Sequence, residues 1–222
     1  MSYRGCIFDL DGTLANTLAS IAGFVNDTLA ARGFGTLPVE AFKTIVGNGA
    51  DLILRRSLAR VGASLPEEEF PGLRREYDRR YEADPLRDVT LYPGVKEVLE
   101  DLHGRGFMLG VVSNKPDNVT REIVGSLFPG LLDQVHGARE GVPKKPDPTA
   151  VLAMAADFGL APGEILYVGD SGVDMDTGRN AGMDPCGVLW GFRGREELTE
   201  HGARFLAPDA ETLHQIAVNG GN

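Results

Sequence analysis

The sequence predicts an α/β protein: a parallel sheet core with helices on both faces, interrupted by an inserted all-helical segment. Three observations carry this. Short apolar runs bounded by turn residues recur along the chain, as buried strands do. Stretches with apolar residues three and four apart lie between them, as amphipathic helices require. Residues from about 16 to 88 hold helical patterns and no good strand.

The first strand is predicted from Tyr3 to Asp9. The insertion follows. Leu18, Ile21, Val25 and Leu29 form one helical face, ending near Gly33; Val39, Phe42 and Ile45 form a second; Leu54, Leu58 and Val61 a third. Phe70, Leu73, Tyr77 and Tyr81 form a fourth, with Pro71 expected to delay its regular part. The core domain is therefore expected over 1–15 and 89–222, and the helical domain over 16–88, with a ligand cleft between them. Further strands are predicted at 107–112, 165–168 and 186–189, and weaker ones near 134–136 and 204–206. Helical faces lie between: Val95, Val98, Leu99 and Leu102; then Val119, Ile123 and Leu127, with Asp117 as N-cap; then Thr149 to Leu160 after Pro148. Alternation of this kind gives a doubly wound, Rossmann-like sheet.

Composition narrows the function. The net charge of −10, from 22 basic against 32 acidic residues, argues against nucleic acid and anionic membranes as partners. No apolar run approaches the roughly 20 residues of a membrane helix, and no basic segment precedes an apolar one at the start. Cys6 and Cys186 are too few and too far apart for a disulfide framework, so buried thiols in a reducing cytoplasm are expected. His103, His136, His201 and His214 make no zinc spacing.

Four short motifs carry the chemistry. Asp9-Leu-Asp11-Gly-Thr13 ends the first strand. Residues two apart in a strand share a face, so both carboxylates address one spot beyond its carboxyl end. Two such acids repel unless a cation lies between them, and a hard oxygen-seeking ion such as Mg2+ suits them. Gly169-Asp170-Ser-Gly-Val-Asp174 repeats the pattern after another apolar run. Ser113 and Asn114 follow a third run, where hydroxyl and amide groups suit phosphate oxygens or a helix cap. In Lys144-Lys145-Pro-Asp-Pro148 the proline frame favours Lys145 pointing inward to neutralise a carboxylate and a phosphoryl oxygen. If the strands are parallel, all four motifs converge on one edge.

These motifs, in this order and spacing, resemble those of the haloacid dehalogenase-like phosphohydrolases, and the resemblance covers nearly the whole chain. The insertion resembles the family's helical C1 cap. Ile45-Val-Gly47-Asn48-Gly49-Ala-Asp-Leu52 with Arg55, and Arg179-Asn-Ala-Gly-Met183, are similar to segments of phosphoglycolate phosphatases. Asn16 departs from relatives that carry Asp there.

The resemblance implies phosphoryl transfer through an aspartyl-phosphate. Asp9 is then the nucleophile and Asp11 the acid and base. Mg2+ is held by Asp9, Asp170 and the Asp11 backbone carbonyl. Lys145 and Ser113 stabilise phosphoryl oxygens, with Thr13 and the Asn114 backbone as further phosphate contacts. Asp174 orients Lys145 or a metal-bound water. Asn48, Gly49 and Arg55 are candidates for reading the leaving group; for Arg55 a solvated helix face is the alternative. The substrate is expected to be a small phosphorylated metabolite, 2-phosphoglycolate foremost, and the enzyme a cytoplasmic monomer or homodimer. A sugar phosphomutase of the same superfamily, or a phosphatase for another phosphoester or pyrophosphate, remains the alternative. A dehalogenase would need neither Asp11 nor a metal, and a receiver module would be about half this length.

Overall fold

The computed structural model describes residues 3–220. The expected outer bounds of the core domain, residues 1 and 222, lie outside the described residues. The chain divides into two compact units, one running up to Asn16 and resuming at Thr90, the other Thr17–Val89.

The larger unit is built on a six-stranded sheet: β1 (Gly5–Phe8), β4 (Met108–Pro116), β5 (Gln134–Ala138), β6 (Ile165–Gly169), β7 (Asp184–Val188) and β8 (Phe205–Ala207). Two further strands, β2 (Ala15–Asn16) and β3 (Thr90–Leu91), pair antiparallel with each other. The sheet order is β5-β4-β1-β6-β7-β8, and every pairing is parallel. The chain winds outward from β1 to β4 and β5, then returns to the far side of β1 for β6. The winding therefore reverses between β1 and β6, and the crevice beyond the carboxyl ends of such a strand pair is where open α/β sheets bind ligands.

Helices α4 (Val95–Gly104), α5 (Asp117–Leu127), α6 (Thr149–Phe158), α7 (Gly172–Asn180), α8 (Arg195–Glu200) and α9 (Ala210–Asn219) alternate with the strands. Ile7, Val112 and Tyr167 pack against Val151, Met154, Ala155 and Phe158 of α6. Cys6 and Phe8 point the opposite way from Ile7 and are buried too, so both faces of the sheet are covered. Cys6 and Cys186 are free, buried thiols. Among the described residues no helix is long and apolar enough to cross a membrane.

The smaller unit is helical. It contains α1 (Leu18–Ala30), a 3-10 helix (Val39–Thr44), α2 (Ala50–Arg60) and α3 (Phe70–Ala83). Phe24 of α1 packs on Tyr81 of α3 with ring centroids 4.5 Å apart, and Ser20 donates to the Tyr81 hydroxyl at 3.2 Å.

Several elements differ in detail from the expectations. The unit boundary falls at Asn16 and Thr90 rather than at 15/16 and 88/89, because Asn16 pairs with Thr90. Pro71 does not delay α3. It lies in the first turn, where a helix has no use for its missing N–H. Asp117 is not the cap of α5 but its first residue, and its carboxylate accepts from the Gly137 N–H (2.8 Å) and Arg121 (2.8 Å). Strand β4 runs four residues beyond its expected end at Val112, as far as Pro116, which pairs with Ala138 after a register shift. Ser113 and Asn114 thus lie within a strand rather than past one. Helix α6 ends at Phe158, where Gly159 turns left-handed (φ 66°).

Candidate active site

The site is built where the winding reverses. The Asp9 N–H donates to the Val168 carbonyl (2.9 Å), so the first residue beyond β1 is held against β6. The chain then turns back, with the Gly12 N–H donating to the Ala15 carbonyl (2.9 Å). Gly12 has φ 88°, and a side-chain carbon there would overlap the Asp170 carboxylate. Gly169 ends β6 under Asp174, with no room for a side chain between them. Asp170 follows at once. Asp174 lies in the first turn of α7, where its Oδ2 accepts from the Ser171 N–H (3.1 Å) and hydroxyl (2.6 Å).

Asp9, Asp170 and Asp174 each offer a carboxylate oxygen within 4.8 Å of the others. Asp9 is 9% exposed, while Asp170 and Asp174 are 2% and 1% exposed, so the cluster opens to solvent through Asp9. One buried cation answers it. Lys145 Nζ lies 2.8 Å from Asp9 Oδ1 and 2.8 Å from Asp174 Oδ1. Burial pulls this ammonium down, but Asp174 and Asp9 outweigh it and hold it above the ordinary lysine range. Burial pushes the Asp9 carboxyl up to about 7, against Lys145 and with Asp174 and Asp11 adding to the rise. Burial pushes Asp170 up as well, with Asp174 and Asp9 contributing.

Three buried acids crowd one buried lysine, and two of the three carboxyls are raised by that burial and by each other. A hard divalent cation is the natural complement of such an oxygen-only set. Gly12 and Gly191 let backbone close tightly on the Asp170 side chain, which holds that carboxylate in place. Asp11 stands outside this carboxylate cluster: its Oδ1 accepts from Lys115 Nζ at 2.7 Å.

Around these residues, the Thr13 hydroxyl is buried and makes no hydrogen bond. The Ser113 hydroxyl is buried and accepts from the Lys115 N–H at 3.2 Å. Asn114 has a use that its sequence position did not suggest. Its side chain accepts from the Lys145 N–H (3.0 Å) and donates to the Lys145 carbonyl (3.2 Å), clamping the loop that presents the lysine. The Lys145–Pro146 peptide is cis.

Asn48, Gly49 and Arg55 belong to the helical unit. Asn48 and Gly49 take left-handed φ (61° and 91°) just before α2. Arg55 is engaged by Glu67 (2.6 and 2.7 Å) and stacks over Phe70 at 3.8 Å.

Sequence reasoning gave no role to Lys115, Tyr92 or Gly191. Lys115 follows Ser113 and Asn114 near the end of β4, and only the fold shows that it is buried. Tyr92 packs its ring 6.2 Å from that of Trp190. Its phenol is pushed above the ordinary tyrosine range by burial, with Asp170 and Asp11 adding to the rise.

Fold and site define an α/β enzyme with acidic and basic side chains gathered at the carboxyl edge of its sheet. The family model for haloacid dehalogenase-like hydrolases matches residues 6–188, and the chain belongs to that family. It is 35% identical over 214 residues to the phosphoglycolate phosphatase of Mannheimia succiniciproducens, covering 94% of this chain and 96% of that one. It is 35% identical to the phosphoglycolate phosphatase of Cereibacter sphaeroides over 89% of this chain and 91% of that one. Among solved structures, a predicted phosphoglycolate phosphatase from Haemophilus somnus superimposes with a TM-score of 0.88 at 30% identity, covering 96% of this chain and 97% of that one.

Proposed function

We propose that this protein is a Mg2+-dependent phosphomonoesterase that hydrolyses 2-phosphoglycolate to glycolate and phosphate. The observation that carries the reading is Lys145 held between Asp9 and Asp174, with Asp170 completing a buried carboxylate set. The phosphoglycolate phosphatase relatives supply the choice of substrate.

Asp9 Oδ attacks phosphorus and the ester P–O bond breaks, leaving an aspartyl-phosphate. Asp11 gives a proton to the departing alkoxide. In the second step Asp11 takes a proton from water, the water oxygen bonds to phosphorus, and the Asp9–phosphorus bond breaks. Asp9 returns to its carboxylate and phosphate departs. Lys115 holds the Asp11 carboxylate in place through Oδ1. Lys145, Ser113 and Thr13 receive the phosphoryl oxygens as charge spreads over them. Asp9, Asp170 and the Asp11 backbone carbonyl would hold the metal, with Asp174 beside them. When bound, Mg2+ offsets the repulsion between the nucleophile and the phosphate dianion. Asn48, Gly49 and Arg55 are the candidates in the helical unit for reading the leaving group. The free, buried cysteines support a cytoplasmic setting.

The test is phosphate release from a panel of phosphorylated metabolites, with Mg2+ and with EDTA. Release from 2-phosphoglycolate should lead the panel and stop on chelation. Preference for another phosphoester would refute the substrate, and turnover surviving full chelation would refute the metal. Slow release beside fast isomerisation of a hexose phosphate would instead make the protein a phosphomutase.

A further inference from the structure

Three consecutive residues after β7 reach across β6 to the turn after β1. The Trp190 indole N–H donates to the Thr13 carbonyl at 3.0 Å. The Phe192 N–H donates to Asp170 Oδ2 at 2.7 Å. Gly191, between them, touches both sides: a side-chain carbon there would overlap Asp170 and lie 2.6 Å from the Gly12 carbonyl oxygen. One tight turn therefore ties the Asp9–Thr13 segment to the Asp170 carboxylate. These two pieces come from strands that are neighbours in space but more than 150 positions apart in sequence.

We infer that Trp190 is a positioning residue for the divalent metal site, setting the separation between the Asp9 turn and Asp170. This rests on the reading that these carboxylates share a metal ion. The bond from Phe192 occupies one oxygen of Asp170 and orients the other. The bond from Trp190 fixes where the turn that follows Asp9 stands against it. A small metal ion demands near-ideal ligand placement, so a shift of the turn relative to Asp170 weakens binding more than it weakens the fold. Gly191 is required because any larger residue would push Asp170 away from its place.

Trp190 is also the chain's single tryptophan, so its fluorescence reports on this turn alone. Titrating Mg2+ into the wild-type protein should change that fluorescence along a saturable binding curve. Trp190→Phe keeps an aromatic ring and removes the donor. Stabilisation by a bound ion grows with the logarithm of its concentration above Kd, so the variant's curve of melting temperature against log Mg2+ should be displaced to roughly tenfold higher Mg2+. A purely structural role would lower the metal-free melting temperature and leave the onset of the rise where it was. An unchanged onset in a folded Trp190→Phe protein overturns the inference and leaves the metal site standing. A wild-type protein whose melting temperature ignores Mg2+ overturns both. If Trp190→Phe does not fold, the wild-type fluorescence titration decides: fluorescence unmoved by Mg2+ that does raise the melting temperature overturns the inference.

Discussion

Lys115 Nζ lies 2.7 Å from Asp11 Oδ1, joining the end of β4 to the turn after β1 through an ion pair whose side chains are 6% and 15% exposed. Strands β4 and β1 are neighbours in the sheet, so this pair closes the site on the side opposite β6. Removing one partner of a buried pair strands the other charge, which costs about 3 kcal/mol. Lys115→Met should therefore lower stability by about that much and cut turnover, since Asp11 loses its anchor. In denaturant melts, the double variant Lys115→Met/Asp11→Asn should lose less than the sum of the two single variants. Strict additivity would mean the two side chains do not work as a pair.

Asn114 acts through Lys145. Its side chain makes two hydrogen bonds to the Lys145 backbone. Asn114→Ala should leave Lys145 present but loosely aimed, and kcat should fall by up to roughly a hundredfold, the scale on which a misplaced catalytic group loses rate. Steady-state kinetics with the variant provide the check, and a wild-type kcat would remove the clamp from the account.

The raised Asp9 carboxyl has a consequence for stability. In the unfolded chain it titrates near its ordinary value, while burial in the fold pushes it up to about 7. The folded state thus binds the proton more tightly. This contribution is full below the unfolded value and is lost as pH rises through the folded one. Metal-free protein should lose roughly 2–3 kcal/mol more stability between about pH 5 and 8 than Asp9→Asn does. Urea melts in EDTA measure the difference; parallel losses in the two proteins would contradict the shift.

Much of this was legible in the sequence. The apolar runs ending at Asp9, Ser113 and Asp170 are read on their own residues, because a doubly covered parallel strand is apolar along its whole length. The two-residue strands β2 and β3 were invisible, since two residues display no period. The carboxylates and Lys145 were readable because each follows a strand. Their partners were not. That Lys115 meets Asp11, that Asn114 clamps Lys145, and that Trp190 reaches Thr13 all follow from the strand order. Sequence patterns show which strands exist but leave open which of them lie side by side. Asp117 misled for a related reason: it has the chemistry of a cap, but β5 offered its carboxylate the Gly137 N–H instead.

The claim that Asp9 carries the phosphoryl group is tested most directly by trapping it. Wild-type enzyme turning over radiolabelled 2-phosphoglycolate with Mg2+ should be acid-quenched on the millisecond scale and its peptides mapped. The account predicts label on the peptide containing Asp9, with none in Asp9→Asn and no turnover by that variant. Label on another residue, or wild-type turnover by Asp9→Asn, would contradict it.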